Sequence, residues 1–168
     1  MVIPTSVGDL LMETLNWEVP VTVDNFLGYI EDDFYDNVVF HRVINGFVIQ
    51  AGLWELLPDS NIVEPQETRG PIRNESRYSI SNSRGTLAIA RTSKPDSATS
   101  QFYVNQGNSP SLDFGSANAP DGYTVFAVLS SGLTVVDEIA AIRTGPMSGI
   151  GSDVPSQIVL IESVTVSD

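Results

Sequence analysis

The sequence contains no cysteine and only one histidine among its 168 residues. Without cysteine the chain can form no disulfide and has no thiol nucleophile, and its redox compartment stays open. A lone histidine has no second histidine or cysteine with which to complete a metal site or a nucleophilic dyad. A Gly-x-Ser-x-Gly elbow is absent as well, which disfavours a hydrolase built on that motif. We therefore expect no metal site built on cysteine or histidine.

Positive charge and long apolar runs are also scarce. The chain has 8 Lys and Arg residues against 21 Asp and Glu residues, a formal net charge of -13. This acidity argues against nucleic-acid backbones and anionic membranes as partners. No apolar run approaches the ~18 residues of a spanning helix, and the first residues lack the regions of a signal peptide. We expect a cytoplasmic protein, or a periplasmic one if a signal peptide has been removed.

What is present suits one globular domain over residues 1–168. The composition is 42% hydrophobic and 17% charged, which is enough apolar material for one core of ordinary size. We expect the chain to act as a monomer.

The histidine, an arginine and an Asn-Gly pair lie close together between two apolar runs, within residues 40–52. Asn-Gly predicts a hairpin, because both residues accept the positive φ of a tight turn. Taken alone, an arginine and a glutamine on such strands are usually surface residues. His41 alternates away from Arg42, and we interpret it as a packed, hydrogen-bonded side chain.

The length of that turn decides which side chains share a face. A two-residue turn would pair Arg42 with Ile49 and point Gln50 to the opposite side. A three-residue loop ending at Gly46 would instead pair Arg42 with Val48 and place Arg42, Val48 and Gln50 together. We favour the second register, because it groups a fixed cation, an amide and an apolar wall into a plausible site.

Periodicity predicts two helices, over 20–35 and 132–142, and about eight short strands. Thr22 or Asp24 is available to cap the first helix. A long irregular segment, 53–83, separates the hairpin from the later strands, and loops of this length are often functional. The strand that follows Ser100 places Gln101, Tyr103 and Asn105 on one side. This count of elements is typical of an antiparallel barrel capped at its ends.

Several separated motifs agree with one family. In chain order they are Phe40-His41-Arg42-Val43-Ile44 with Gly46-Phe47-Val48-Ile49-Gln50, then Pro71-Ile72-Arg73-Asn74-Glu75, then Gly85 to Thr92 with Asp96 to Tyr103, and finally Leu112-Asp113 with Tyr123-Thr124-Val125-Phe126. Through this ordered set the chain resembles the cyclophilins, the cyclosporin-binding class of peptidyl-prolyl cis-trans isomerases, and most closely their bacterial members. The resemblance covers nearly the whole chain. It implies a mostly β fold, a closed eight-stranded antiparallel β-barrel capped by two α-helices.

The resemblance also implies the site residues. Arg42 takes the place of the catalytic arginine, with Gln50 as the amide beside it and Phe47 completing the catalytic group. The positions implied to bind substrate are Val48, Ala90, Arg91, Gln101, Tyr103, Ser111, Leu112 and Tyr123. The implied reaction is rotation about X-Pro bonds of unfolded or partly folded chains, which needs no nucleophile, metal or cofactor.

Four residues depart from the family pattern. Asn45 replaces a turn proline, Val48 replaces a longer methionine, and Tyr103 replaces phenylalanine and adds a hydroxyl that needs a partner. Ser111 stands where relatives carry tryptophan or phenylalanine, so contact area for cyclosporin is lost and we expect weak or absent sensitivity to the drug. These substitutions also motivate an alternative function, a scaffold module that binds proline-containing peptides with little or no turnover.

Overall fold

The computed structural model describes residues 1–166. Its strands are β1 (Val2–Pro4), β2 (Asp9–Thr14), β3 (Arg42–Ile44), β4 (Val48–Ala51), β5 (Trp54–Leu56), β6 (Val63–Pro65), β7 (Thr86–Ile89), β8 (Phe102–Asn105), β9 (Val125–Ser131), β10 (Thr144–Met147) and β11 (Gly151–Pro155). The helices are α1 (Pro20–Glu31) and α2 (Leu133–Ala140), with two 3-10 turns at Ser76–Tyr78 and Pro110–Leu112. Both predicted helices are present, each shorter than the sequence pattern suggested. Within the described residues no helix has the length and apolar character to cross a membrane.

Seven strands form one antiparallel sheet in the order β1-β2-β9-β7-β8-β4-β3. The sheet is an open half-barrel, so the predicted closed eight-stranded barrel is wrong. The C-terminal segment, 158–166, has the β-branched composition of a strand but forms no ladder with either edge of the sheet. It makes only isolated bridges, Val2 with Thr165 and Thr5 with Ile161 near β1, and Val39 with Leu160 just before β3. A continuous ladder is therefore missing where the two edges would close.

The main core lies on the face of the sheet that α1 covers. The ring of Phe26 on α1 lies 4.9 Å from that of Tyr35 and 4.8 Å from that of Phe126, measured between centroids. Phe102 packs edge-on against both Phe26 and Tyr35, at 5.4 and 5.6 Å. All four side chains are at most 1% exposed. Tilted and edge-on rings at these distances are a favourable packing arrangement, so this cluster fixes α1 against the sheet.

The N-terminus of α1 is capped from a distant loop. Neither Thr22 nor Asp24 caps the helix as predicted, because the chain enters it at Val19 and Pro20, one turn too early for either side chain. The carboxylate of Glu75 instead accepts hydrogen bonds from the Val21 N–H (3.3 Å), the Thr22 N–H (2.8 Å) and the Thr22 hydroxyl (2.8 Å). These donors include backbone N–H groups that the first turn of a helix leaves unpaired.

The hairpin between β3 and β4 differs from both predicted registers. Arg42 pairs with Gln50 and Ile44 with Val48, so the loop is Asn45-Gly46-Phe47, one residue later than expected. Gly46 takes φ 81°, which few residues other than glycine adopt comfortably. The predicted face is nevertheless right. Directly paired residues share a side of the sheet, so Arg42, Val48 and Gln50 still point the same way.

Candidate active site

A pocket of about 210 Å³ opens on the face of the sheet opposite the main core. Its floor is a small buried cluster of one residue from each of four strands, namely Val48, Ala88, Tyr103 and Val125. These residues alternate along their strands with side chains of the main core. Nine of the eleven predicted site residues line the pocket: Arg42, Phe47, Val48, Gln50, Ala90, Arg91, Tyr103, Leu112 and Tyr123.

The other two predicted residues do not line it. Gln101 lies behind Gln50, whose Nε2 donates to Gln101 Oε1 at 2.9 Å. Ser111 is exposed on the short 3-10 turn, and its backbone carbonyl accepts a hydrogen bond from the Ser116 hydroxyl at 2.7 Å. Gln101 is therefore placed to orient its neighbour, and Ser111 to meet only a ligand that extends beyond the pocket.

Two contacts hold Arg42 at the rim. Its Nη1 donates to Gln50 Oε1 at 3.3 Å, and its Nε lies 3.9 Å from Asp153 Oδ2 on β11. Gln50 is itself fixed by Gln101, so the side chains of Gln101, Gln50 and Arg42 are linked in series by hydrogen bonds. The guanidinium of Arg42 is the last group in this series. The contact with Gln50 was predicted, but the contact with Asp153 was not. Asp153 comes from the β10–β11 hairpin, where no sequence pattern indicates a site.

Removing the carboxylate of Asp153 tests how much the second contact matters. Both side chains are more than one-third exposed, at 39% for Arg42 and 38% for Asp153, so solvent screens the pair. We expect Asp153→Ala to lower kcat/KM only about twofold to fivefold and to change the free energy of unfolding by less than ~0.5 kcal/mol. Steady-state isomerisation assays and urea unfolding check both values. A loss as large as that of Arg42→Ala would mean that the carboxylate itself is essential.

The hydroxyl of Tyr103 has a hydrogen-bond partner, although the pocket wall around it is mostly apolar. The side chain is 4% exposed, and its hydroxyl donates to Asn82 Oδ1 at 2.8 Å. Burial, with Tyr123 and Asp113 nearby, raises the pKa of Tyr103 far above its ordinary value, so the phenol stays protonated as a donor. The substitution of phenylalanine by tyrosine is thus accommodated without an unpaired polar group.

Asn82 connects this wall to the loop that carries Leu112. Its backbone N–H and its side-chain amide both donate to Asp113 Oδ1, at 2.7 and 3.1 Å, and its amide also donates to the Tyr123 carbonyl at 3.3 Å. Burial pushes the pKa of Asp113 upward, but hydrogen bonds from Asn82 and Ser81 outweigh it and hold that pKa below its ordinary value. Asp113 is therefore ionised at neutral pH and anchors the loop. Only one part of this network could be anticipated from the sequence, namely that the Tyr103 hydroxyl needs a partner.

Arg91 and Tyr123 form the opposite wall. The guanidinium carbon of Arg91 lies 4.3 Å from the centre of the Tyr123 ring, and Arg91 Nε donates to the Gly122 carbonyl at 2.9 Å. A cation stacked on an aromatic face is stabilised by the ring quadrupole. Arg91 is therefore tied to the wall, whereas Arg42 projects from the rim.

His41 is packed as predicted, at 7% exposed, but its Nδ1 has no hydrogen-bond partner within the described residues. Burial lowers the pKa of His41 to about 4, so the imidazole is neutral at physiological pH. The His41 side chain does not line the pocket. We interpret it as a structural residue that packs beside the start of β3.

Comparison with known proteins identifies the family. A family model described as cyclophilin type peptidyl-prolyl cis-trans isomerase/CLD matches residues 1–166. Peptidyl-prolyl cis-trans isomerase B of Escherichia coli is 46% identical over 165 residues, 98% of this chain and 97% of that protein. A peptidyl-prolyl cis-trans isomerase of Acinetobacter baylyi is 41% identical over 162 residues, 96% of this chain and 82% of that protein.

A solved structure shares the fold. It is a cyclophilin type isomerase of Cryptosporidium parvum determined in the presence of the dipeptide Ala-Pro, with a TM-score of 0.80, 22% identity and coverage of 99% of this chain and 98% of that one. The family model spans almost the entire chain, and the bacterial relatives match over nearly their full length. The chain therefore belongs to the cyclophilin-type peptidyl-prolyl cis-trans isomerases, and it is an isomerase of X-Pro peptide bonds.

Proposed function

We propose that the pocket binds the proline of an X-Pro segment in an unfolded or partly folded polypeptide, and that Arg42 is its catalytic residue. The observation that carries this proposal is the position of Arg42, a guanidinium held by Gln50 at the rim of a pocket with apolar walls. Gln50 acts as a positioning residue, and Phe47 packs against the proline ring. The enzyme works as a monomer and without a cofactor.

The chemistry follows from the amide bond. Resonance gives the X-Pro bond a rotational barrier of roughly 18–20 kcal/mol, and this resonance is lost when the bond is twisted. The imide nitrogen then regains a basic lone pair, which can accept a hydrogen bond that the planar ground state cannot accept. A guanidinium that stays charged and donates to this nitrogen stabilises the transition state selectively.

Arg42 has a donor free for this task. Its Nη1 is used by Gln50 and its Nε faces Asp153, while Nη2 has no protein acceptor among residues 1–166. The donor is also preorganised, because Gln50 and Gln101 hold the guanidinium before substrate arrives. Preorganised donors are effective because no reorganisation accompanies the reaction itself.

The remaining pocket residues provide binding. Phe47, Leu112 and Tyr103 offer apolar surface to the proline ring, and buried Val48 forms the floor. The N–H of Ala90 already donates to the Gln101 carbonyl at 2.8 Å, so the carbonyl of Ala90 is the group that pairs with substrate backbone. Pairing through the Ala90 carbonyl recognises the backbone of the substrate more than its side chains. This mode of binding suits an enzyme that acts on many sequences.

A protease-coupled isomerisation assay tests the proposal. With a peptide that contains one X-Pro bond, we expect the rate of trans-isomer formation to rise in proportion to enzyme concentration, and Gln50→Ala to lower it. If calorimetry shows that the peptide binds while the rate remains that of the uncatalysed peptide, the function is that of a proline-peptide-binding scaffold instead.

We further propose weak sensitivity to cyclosporin, because Ser111 offers no ring beside the pocket. Ser111→Trp is expected to tighten cyclosporin binding by about tenfold or more, since a tryptophan at the margin of an interface adds contact area at small entropic cost. Isothermal titration of both proteins measures the change. Ala117→Trp, which adds the same ring at another exposed position of this loop, is the control and should change affinity less than about twofold. Sub-micromolar binding by the wild type would contradict this proposal.

A further inference from the structure

Trp17 is 97% exposed, which is unusual for the largest apolar side chain of a folded protein. The other tryptophan, Trp54, is partly buried on β5. Single exposed apolar residues are common on protein surfaces, but tryptophan is also the residue most enriched at the energetic centres of interfaces. The residues around Trp17 therefore decide whether it is an ordinary surface residue or part of a binding surface.

The backbone that carries Trp17 is ordered by hydrogen bonds. The Leu15 N–H donates to the Phe126 carbonyl at 2.8 Å, and the Glu18 and Val19 N–H groups both donate to the Leu15 carbonyl, at 3.3 and 3.2 Å. Val19 is fully buried. The indole is thus carried on a tight turn whose backbone is fixed to the sheet, which lowers the backbone entropy lost when a ligand covers it.

Beside the indole lies an open groove of about 590 Å³ between β2 and α1. Apolar side chains form its base, namely Met12, Leu15 and Leu27, of which Met12 is buried and the other two are partly buried. The groove is separate from the catalytic pocket, with which it shares no lining residue. It offers an apolar base next to one exposed aromatic face.

The charge at the groove is negative. Glu13 and Glu18 line it and both are exposed. Residues 1–41 contain no lysine or arginine, but they contain eight acidic residues: Asp9, Glu13, Glu18, Asp24, Glu31, Asp32, Asp33 and Asp36. The amine of Met1 is a cation at the groove, and it donates to the Met12 carbonyl at 3.1 Å. The two carboxylates exceed this single positive charge.

We propose that Trp17 and this groove form a docking surface for a lysine- or arginine-rich segment of a partner polypeptide. A basic side chain stacks its charged head on the indole, which is the best aromatic partner for a cation. Its methylene stem covers the apolar base formed by Leu15 and Leu27. Glu13 and Glu18 pair with flanking basic residues. The enzyme would thereby hold a basic partner at a surface distinct from the site of isomerisation.

Fluorescence anisotropy with a labelled octapeptide of alternating lysine and alanine tests this surface at low ionic strength. The peptide contains no proline, so the catalytic pocket does not take it as substrate, and failure of the proposed catalytic mechanism would not affect the result. We expect Trp17→Ser and the double variant Glu13→Gln/Glu18→Gln each to weaken binding about threefold to tenfold. Trp17 is exposed, so the unfolding midpoint of Trp17→Ser should match that of the wild type.

Matched controls separate this surface from the general acidity of the chain. Tyr78→Ser removes another exposed aromatic, and Glu64→Gln/Glu67→Gln removes two exposed carboxylates elsewhere. Both should change affinity less than about twofold. In a Trp54→Phe protein, emission from Trp17 should shift as the peptide binds.

Three results would overturn the proposal. The first is an equal loss of affinity in the control variants, which would show that net charge alone binds the peptide. The second is emission from Trp17 that is already that of a buried indole, and the third is a dimer in sedimentation that Trp17→Ser dissociates, because then a second copy of the chain covers the surface.

Discussion

Arg42→Ala is expected to lower kcat/KM for an X-Pro peptide by about 10²–10³-fold, while peptide affinity changes less than about fivefold. The reason is that the guanidinium donates to the imide nitrogen only when the bond is twisted, so its removal affects the transition state far more than the bound ground state. Progress curves from the protease-coupled assay give kcat/KM, and calorimetry on the same peptide gives the affinity.

Arg91→Ala is the matched control, because it removes the other guanidinium that lines the pocket. Arg91 is stacked on Tyr123 and bonded to the Gly122 carbonyl, so it supports a wall instead of facing the reacting bond. We expect its loss to lower kcat/KM less than about tenfold. Equal losses in the two variants would contradict the assignment of catalysis to Arg42 alone.

Glu75→Ala is expected to have the largest effect on stability, a loss of about 3 kcal/mol in the free energy of unfolding. Glu75 is 4% exposed, and its carboxylate caps α1 through Val21 and Thr22. Alanine removes the cap and leaves buried donors unpaired. Urea unfolding followed by circular dichroism measures the change.

Glu75→Gln and Glu67→Ala calibrate this result. The amide keeps the size and one acceptor oxygen but places an NH₂ group against a helix donor, so an intermediate loss of about 1–2 kcal/mol is expected. Glu67 is an exposed carboxylate on the same long segment, and its removal should change stability by less than ~0.5 kcal/mol. If Glu75→Ala were no worse than Glu67→Ala, the cap would not stabilise α1.

The hairpin shows what local sequence can and cannot decide. Asn-Gly predicted the turn correctly, but the same pair fits loops that begin at different residues. The observed register is stabilised by a segment some sixty residues away, where the N–H groups of Gln106 and Gly107 both donate to the Phe47 carbonyl. No pattern within residues 40–52 contains that information, so the pairing could not be predicted although the shared face could.

Contacts between distant segments also explain why the cap of α1 and the closure of the barrel were predicted wrongly. Thr22 and Asp24 were reasonable caps by local rules, yet the carboxylate of Glu75 fills the role because the long loop folds back over the helix. The C-terminal segment has the alternation of a strand, but strand pairing depends on how closely the two sheet edges approach. It meets them at isolated bridges only.

Most of the candidate site could be predicted because the resemblance carries residue identities over the whole chain. Nine of the residues that it implied lie together around one pocket. It could not indicate Asp153 or Asn82, whose contacts to Arg42 and Tyr103 arise from segments that no site motif covers. Ser111 is exposed and does not line the pocket, so its part in binding substrate stays a prediction.

The most direct test of the central claim is nuclear magnetic resonance exchange on a peptide with one X-Pro bond, measured while the wild-type protein binds it. It gives the affinity of each isomer and the rate at which the bound isomers interconvert. We predict that both isomers bind with similar affinity and that bound peptide interconverts orders of magnitude faster than the tens to hundreds of seconds of free X-Pro bonds. Bound peptide that interconverts at the free rate would contradict the account, because the pocket would then bind proline without catalysing its isomerisation.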